Sequence, residues 1–196
     1  ELLAHHYTEA GLIAQAIPYW QRAGERANQR SAYVEAISHL TKEFGFLKAL
    51  PDSPQSFQQE LSLHIALGPA LIATQGYASH AVEKTYLRAR ELCLRIGDGS
   101  RLFPVLFGLW SFYITRAEPK PTRELGEQLL VLARRQNDPA LLLQAHRALA
   151  ETFFWLGDFP VAHAHGTRRS SLYDPQLHRT HAILYAEEPG AYCAAI

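Results

Sequence analysis

YTEAGLIAQAIPYWQRA (Tyr7–Ala23) sets Tyr7, Ala16, Trp20 and Ala23 at separations of nine, four and three. The interval returns along the chain. Ala27–Ala36–Leu40 repeats the first two separations, and Ala73–Val82–Tyr86–Ala89 repeats all three. Tyr113–Thr122–Gly126–Leu129 is a looser copy, and Phe153–Ala162–Gly166 is looser still, running on to Arg169. Val82, Thr122 and Ala162 stand forty residues apart, and Ala36 stands forty-six before Val82. A period near forty in a chain with helical patterning predicts stacked helix pairs. The physics of the interval is simple. A large residue late in one helix meets a small residue early in the next, and the residue four further on lies on the same face and fills the adjoining groove.

Helical patterning runs throughout. In Arg123–Arg135, Leu125, Leu129, Leu130, Leu132 and Ala133 recur at three and four, with Glu124, Glu127, Gln128 and Arg134 on the other side. Strand-type alternation is absent from the sequence. The stops carry turn chemistry: Gly11, Pro51-Asp52-Ser53-Pro54, Gly76, Gly97-Asp98-Gly99, Pro119 and Pro121, Asp138-Pro139, Gly157-Asp158 and Asp174-Pro175. These bounds predict helices over 2–10, 14–29, 31–49, 54–75, 78–96, 100–116, 120–136, 139–156, 159–172 and 176–186. Ser53 before Pro54 and Asp138 before Pro139 are expected to cap their helices. The fold class read from this pattern is all-α: an α-solenoid of antiparallel helix pairs, a tetratricopeptide-like right-handed superhelix. Its units fall at 1–50, 54–97, 100–136 and 139–173, with 174–196 an incomplete last unit.

The quoted interval, together with SAYVEAISHL, YLRARELC, RELGEQLLVLARRQNDPALLLQAHRALA and LYDPQLHR, resembles the C-terminal repeat region of large bacterial signal-transducing P-loop ATPases. Many of those carry an adenylate/guanylate cyclase or protein kinase domain. The resemblance implies a sensor or protein-binding arm, with nucleotide chemistry upstream. It implies a cytoplasmic protein and no catalysis in this segment. Two other settings fit the same pattern: the regulatory part of a cyclase or ATPase enzyme, and the effector arm of a transcription regulator. The sequence departs from the family at Gly45 within a helix, at Pro119 and Pro121, and at Gly166, where a large groove residue is usual. The chain has no methionine and opens on a helical pattern, so it reads as a piece of a longer polypeptide.

Composition narrows the function. The formal net charge is zero, with 47% hydrophobic and 19% charged residues. That gives no electrostatic reason to expect nucleic acid or an anionic membrane as partner. No apolar run approaches the roughly 18 residues a membrane span needs. The cysteines, Cys93 and Cys193, fit reduced thiols, and Cys93 sits among Leu92, Leu94 and Ile96 as a packing residue. No phosphate-binding glycine loop is present, and Gly97-Asp98-Gly99 reads as a turn. The ten histidines, His5, His6, His163, His165, His178 and His181 among them, lack H-E-x-x-H or paired C-x-x-C spacing. They are expected to be solvated or groove-lining, with no metal and no cofactor. Arg88, Arg90, Arg95 and the Arg134-Arg135 pair, interleaved with Glu83, Glu91, Glu124 and Glu127, read as a salt-bridged face.

One helix offers a candidate binding strip. Gln144, Arg147, Glu151 and Trp155 recur at three and four, joined by Phe154. An aromatic anchor amid charges of both signs suits a peptide groove. The expected partner is therefore a protein, a peptide or another domain of the parent chain. Apolar residues at the ends, Leu2, Leu3, Ile183, Leu184 and Tyr185, add the expectation of self-association through terminal helices.

Overall fold

A computed structural model describes residues 1–47 and 51–173. The expected helix over 176–186, the unit at 174–196, and His178, His181, Ile183, Leu184, Tyr185 and Cys193 lie outside the described residues. The described residues form an all-α fold of helices α1 (Leu2–Glu9), α2 (Ile13–Gln29), α3 (Tyr33–Leu47), α4 (Pro54–Gln75), α5 (His80–Ile96), α6 (Leu102–Thr115), α7 (Pro119–Gln136), α8 (Pro139–Trp155) and α9 (Phe159–Leu172). The bounds depart from the sequence expectation by no more than two residues at an end. The chain divides into two compact units, Glu1–Gly99 and Ser100–Ile196. Within each unit every helix packs on the next one in sequence.

Local chemistry sets the corners. Ser53 and Ser56 form a reciprocal capping box at α4. Asp138 accepts from Ala140 and Leu141 at the start of α8, and Asp158 from Val161 at α9. Gly97 and Gly157 close α5 and the α8–α9 corner at φ of 75° and 79°, in the left-handed region where a Cβ is strained. Pro119 and Pro121 do not disturb their helix. They occupy the first turn of α7, where a missing N–H costs nothing.

In the first unit, the interval does what its chemistry predicts. Ala16, Ala36 and Val82 are fully buried, and so are Leu40 and Ala89. Trp20 lies against Ala4 and Ala16, with Tyr7 at the edge. Ala27, Ala36 and Ala70 form one cluster of small side chains. One member departs from the pattern: Ala73 is exposed, because its face of α4 turns outward just before Gly76.

Three further interlocks use glycines instead. A Cβ on Gly24 of α2 would stand 2.6 Å from Leu40 Cγ of α3. A Cβ on Gly68 of α4 would overlap the Tyr86 ring of α5. In the second unit a Cβ on Gly126 of α7 would stand 2.9 Å from Leu149 Cδ2 of α8. Leu40 and Tyr86 are each the residue four beyond the small member of the interval. They fill a socket that only glycine leaves open. Pro69 follows Gly68 inside α4 and removes one ladder hydrogen bond. Asn28 of α2 donates to the carbonyl of Ala66 in the same stretch at 2.7 Å, tying α2 to α4 there.

The two units share a further device. Trp20 Nε1 donates to Thr8 Oγ1 at 3.1 Å, and the Thr8 hydroxyl donates in turn to the Ala4 carbonyl. Trp110 Nε1 donates to Thr152 Oγ1 at 3.0 Å, and Thr152 donates to the Ala148 carbonyl. Each buried indole is thereby satisfied without a charged partner.

Glycines inside helices now divide into two kinds. Gly45 of α3 has nothing within 4 Å of a built Cβ, so Gly45→Ala should stabilise the chain by about 0.5–1 kcal/mol through helix propensity. Gly24→Ala gains the same propensity but overpacks Leu40, with an expected net loss of about 1–3 kcal/mol. Urea unfolding of both variants checks this, and shifts of the same sign would refute the socket.

Candidate functional site

Sequence patterning proposes a strip along α8, and the structure splits it. Gln144 is fully buried and Arg147 is 4% exposed, so neither is available to a ligand. The cause is that α8 is enclosed over most of its circumference, from Leu143 through Ala150. Arg147 turns back on its own unit: Nε donates to Glu151 at 2.8 Å, and the guanidinium lies 5.8 Å from the Phe107 ring of α6. Gln144 has no hydrogen-bond partner for either amide atom.

The C-terminal end of the strip does reach the surface. Trp155 is 75% exposed and Phe154 47% exposed. Phe154 makes edge contacts with Trp155 and with Phe159, at centroid distances of 5.6 and 5.7 Å. Leu156 and Phe159 are also exposed, which extends an apolar patch around the α8–α9 corner. Phe153 points the other way, stacked on His165 at 5.9 Å with Arg123 over its face. Three consecutive aromatics thus divide between packing and surface, as helical geometry requires.

Beside Trp155 lies a cleft of about 710 Å³. Its walls are the end of α6 (Ile114, Thr115), the first turn of α7 (Pro119, Thr122) and the end of α8 (Glu151, Trp155). Thr122 turns its hydroxyl back onto the Glu118 carbonyl, so it offers the cleft a methyl. The two carboxylates at the rim are already paired, Glu118 with Arg116 at 3.6 Å and Glu151 with Arg147. The α7 terminus is a poor anion site, because Pro119 and Pro121 remove two of its amide donors. The site is a largely apolar groove whose rim carboxylates are ion-paired.

Elsewhere, some histidines expected to be solvated or groove-lining lie inside. His39, His64 and His146 are all buried. His146 of α8 and His165 of α9 face each other with Nδ1 to Nδ1 at 2.9 Å. One nitrogen must donate and the other accept, so at most one of the two rings can carry a charge. Burial pushes His146 down to about 4, helped by His165, Arg134 and Arg168; burial and Arg134 lower His165 as well. No sequence signal joins these two residues, since they sit on different helices with no shared period. Burial also lowers His64, with the Glu60 charge opposing it. Glu43 of α3 is fully buried with neither carboxylate oxygen hydrogen-bonded. Burial, reinforced by Glu25, raises it to about 8.

Cys93 is buried, as its apolar neighbours predict. Arg88 of α5 is salt-bridged, with a two-pronged contact to Glu60 at 2.8 and 3.1 Å and a further bond to Glu91, while Arg95 lies on the Phe57 ring. Among the described residues, no helix is long and apolar enough to cross a membrane.

No family model matches the chain. The chain is similar to an uncharacterized protein of Rhizobium meliloti, with 28% identity over 157 residues. The match covers 79% of this chain and 15% of that relative, so the chain spans about a seventh of its length.

Two outcomes follow from this geometry. Trp155→Ala should leave stability within about 0.5 kcal/mol of the parent, whereas Trp110→Ala should cost about 3–5 kcal/mol; thermal unfolding separates them. Glu43 holds its proton more tightly folded than unfolded, so its contribution is full below the unfolded value of 4.5 and is lost as pH rises towards about 8. Glu43→Gln should therefore leave stability unchanged near the lower limit and raise it by on the order of 3 kcal/mol at neutral and alkaline pH. Melting curves taken across that range test the sign, and a variant that gains nothing at high pH would place a charge on Glu43.

Proposed function

We propose that this chain is a non-catalytic helical-repeat arm that binds a protein or peptide through the corner around Trp155. The observation that carries the reading is the exposed Phe154–Trp155–Phe159 patch bordering an apolar cleft. A large aromatic ring left in water beside a concave apolar surface is the usual chemistry of an interface anchor. The apolar lining favours a ligand with an apolar anchor. Among the described residues the cleft shows no nucleophile paired with a base, which favours binding over catalysis.

The arm belongs, in this reading, to a longer cytoplasmic signalling protein of bacteria, a P-loop ATPase with or without a cyclase domain. The motif resemblance supports it, as does similarity to a relative several times the length of this chain. The partner is then a separate protein or another domain of the parent. Self-association through the exposed Leu2 and Leu3 of α1 is a second way such an arm could act. A regulatory segment of a cyclase and the effector arm of a transcription regulator are the alternatives, distinguished by a cyclase or a helix-turn-helix in the parent reading frame.

A displayed peptide library panned against the chain tests the binding reading. Enriched peptides should carry an aromatic or aliphatic anchor, and should lose at least about tenfold in affinity against Trp155→Ala. Peptides indifferent to Trp155, or no enrichment, would refute the groove. In the full-length parent, Trp155→Ala should change nucleotide turnover or its regulation without changing the melting temperature, and a parent with no nucleotide-binding domain would refute the ATPase assignment.

A further inference from the structure

The first unit holds a constellation that the proposed groove does not use. His39 of α3 is 4% exposed, and neither of its ring nitrogens makes a hydrogen bond. Yet Nε2 stands 3.4 Å from Glu35 Oε1 and 3.8 Å from Glu1 Oε1. One ligand atom from each of the three residues lies within 4.8 Å of the other two. Glu35 and His39 are four apart on α3, so the helix itself fixes their side chains on one face. Glu1 comes from the N-cap of α1. The three meet at the wall of a cleft of about 730 Å³.

We propose that Glu1, Glu35 and His39 form a site for a divalent cation of zinc type. The separations fit that ion. Ligands at about 2.0–2.1 Å in a tetrahedron lie about 3.3 Å from one another. The Glu35–His39 pair is already at such an edge, and the Glu1 carboxylate, on an exposed side chain, stands 3.8 Å from the same imidazole nitrogen and can close on it by rotation. Two carboxylates and a neutral imidazole suit a borderline metal and neutralise its charge. The site also answers a question that the fold leaves open. A buried imidazole with no hydrogen bond is costly, and a metal on Nε2 gives it a partner. Coordination would clip the start of α1 to α3 across α2, a structural role. The remaining position opens to the cleft.

One competitor is visible. Arg30 reaches the same Glu35 oxygen at 3.3 Å, from a side chain that is largely exposed. A metal must displace it, which costs little for an exposed pair. Removing Arg30 should therefore tighten the site. The sequence pattern hid the constellation because Glu1 is remote from α3 and a lone E-x-x-x-H spacing is not a metal motif.

The test titrates the chelator-treated chain with Co²⁺, followed by Zn²⁺ competition. One equivalent of Co²⁺ should bind with the intense visible absorption of tetrahedral coordination, and Zn²⁺ should bleach it. Glu35→Gln, Glu1→Gln and His39→Gln should each weaken binding by about tenfold or more, and Arg30→Ala should strengthen it. The two glutamates carry exposed side chains, so their substitution leaves the fold intact even if the buried His39→Gln variant unfolds. Zn²⁺ should also raise the melting temperature of the parent chain and not of the Glu35→Gln variant. No saturable binding, or binding unchanged in both glutamate variants, would overturn the proposal.

Discussion

A large side chain seated where a neighbouring helix has no Cβ is the contact on which the two units depend. Leu40 over Gly24, Tyr86 over Gly68 and Leu149 over Gly126 each fill the space a Cβ would take. Each glycine costs about 1 kcal/mol of helix propensity relative to alanine. The cost is offset because the approach brings whole faces of two helices into van der Waals contact, where dispersion and apolar burial act over many atoms. It also fixes register, since sliding a helix by one residue would place a Cβ in the socket. The alanine-rich surfaces around Ala27, Ala36 and Ala70 close together because these sockets set the distance.

Such tight packing leaves little room for water, and the buried polar groups divide sharply. The indoles of Trp20 and Trp110 find threonine hydroxyls that are themselves satisfied by a carbonyl one turn back. Asn28 uses a carbonyl near the Pro69 break. Glu43 and Gln144 find nothing. The two kinds of buried group therefore move stability in opposite directions with pH. The histidines held neutral lose their contribution as pH falls below the ordinary histidine range, and Glu43 loses its own as pH rises. The zone between is where the interior carries least unwanted charge.

Helix positions were legible because each boundary has its own local chemistry. A serine, an aspartate or a left-handed glycine acts on its neighbours in sequence, so Ser53, Asp138 and Gly157 can be read without knowing the fold. The nine-and-four interval was legible for a related reason: short connections make adjacent helices meet at a nearly fixed offset. The sockets were not, because Gly24 and Gly68 look like ordinary weak points until Leu40 and Tyr86 are known to stand over them. On α8 the strip Gln144–Arg147–Glu151–Trp155 has the right period for a groove. Periodicity cannot say that α7 and α9 enclose its first half, or that Arg147 settles on Phe107 of α6. Only the terminal turn, past the reach of that packing, kept its aromatic rings in water. The His146–His165 contact and the Glu1–Glu35–His39 cluster join separate elements, and no window of sequence contains them.

The three tryptophans also make the chain its own spectrometer. Trp20 and Trp110 are both 1% exposed, one in each unit, and Trp155 stands in solvent. A buried indole hydrogen-bonded to a neutral hydroxyl emits to the blue of one bathed in water, and moves red when its surroundings loosen. Variants that keep a single tryptophan would report the melting of Glu1–Gly99, the melting of Ser100–Ile196, and events at the α8–α9 corner as three separable optical signals, with no label attached.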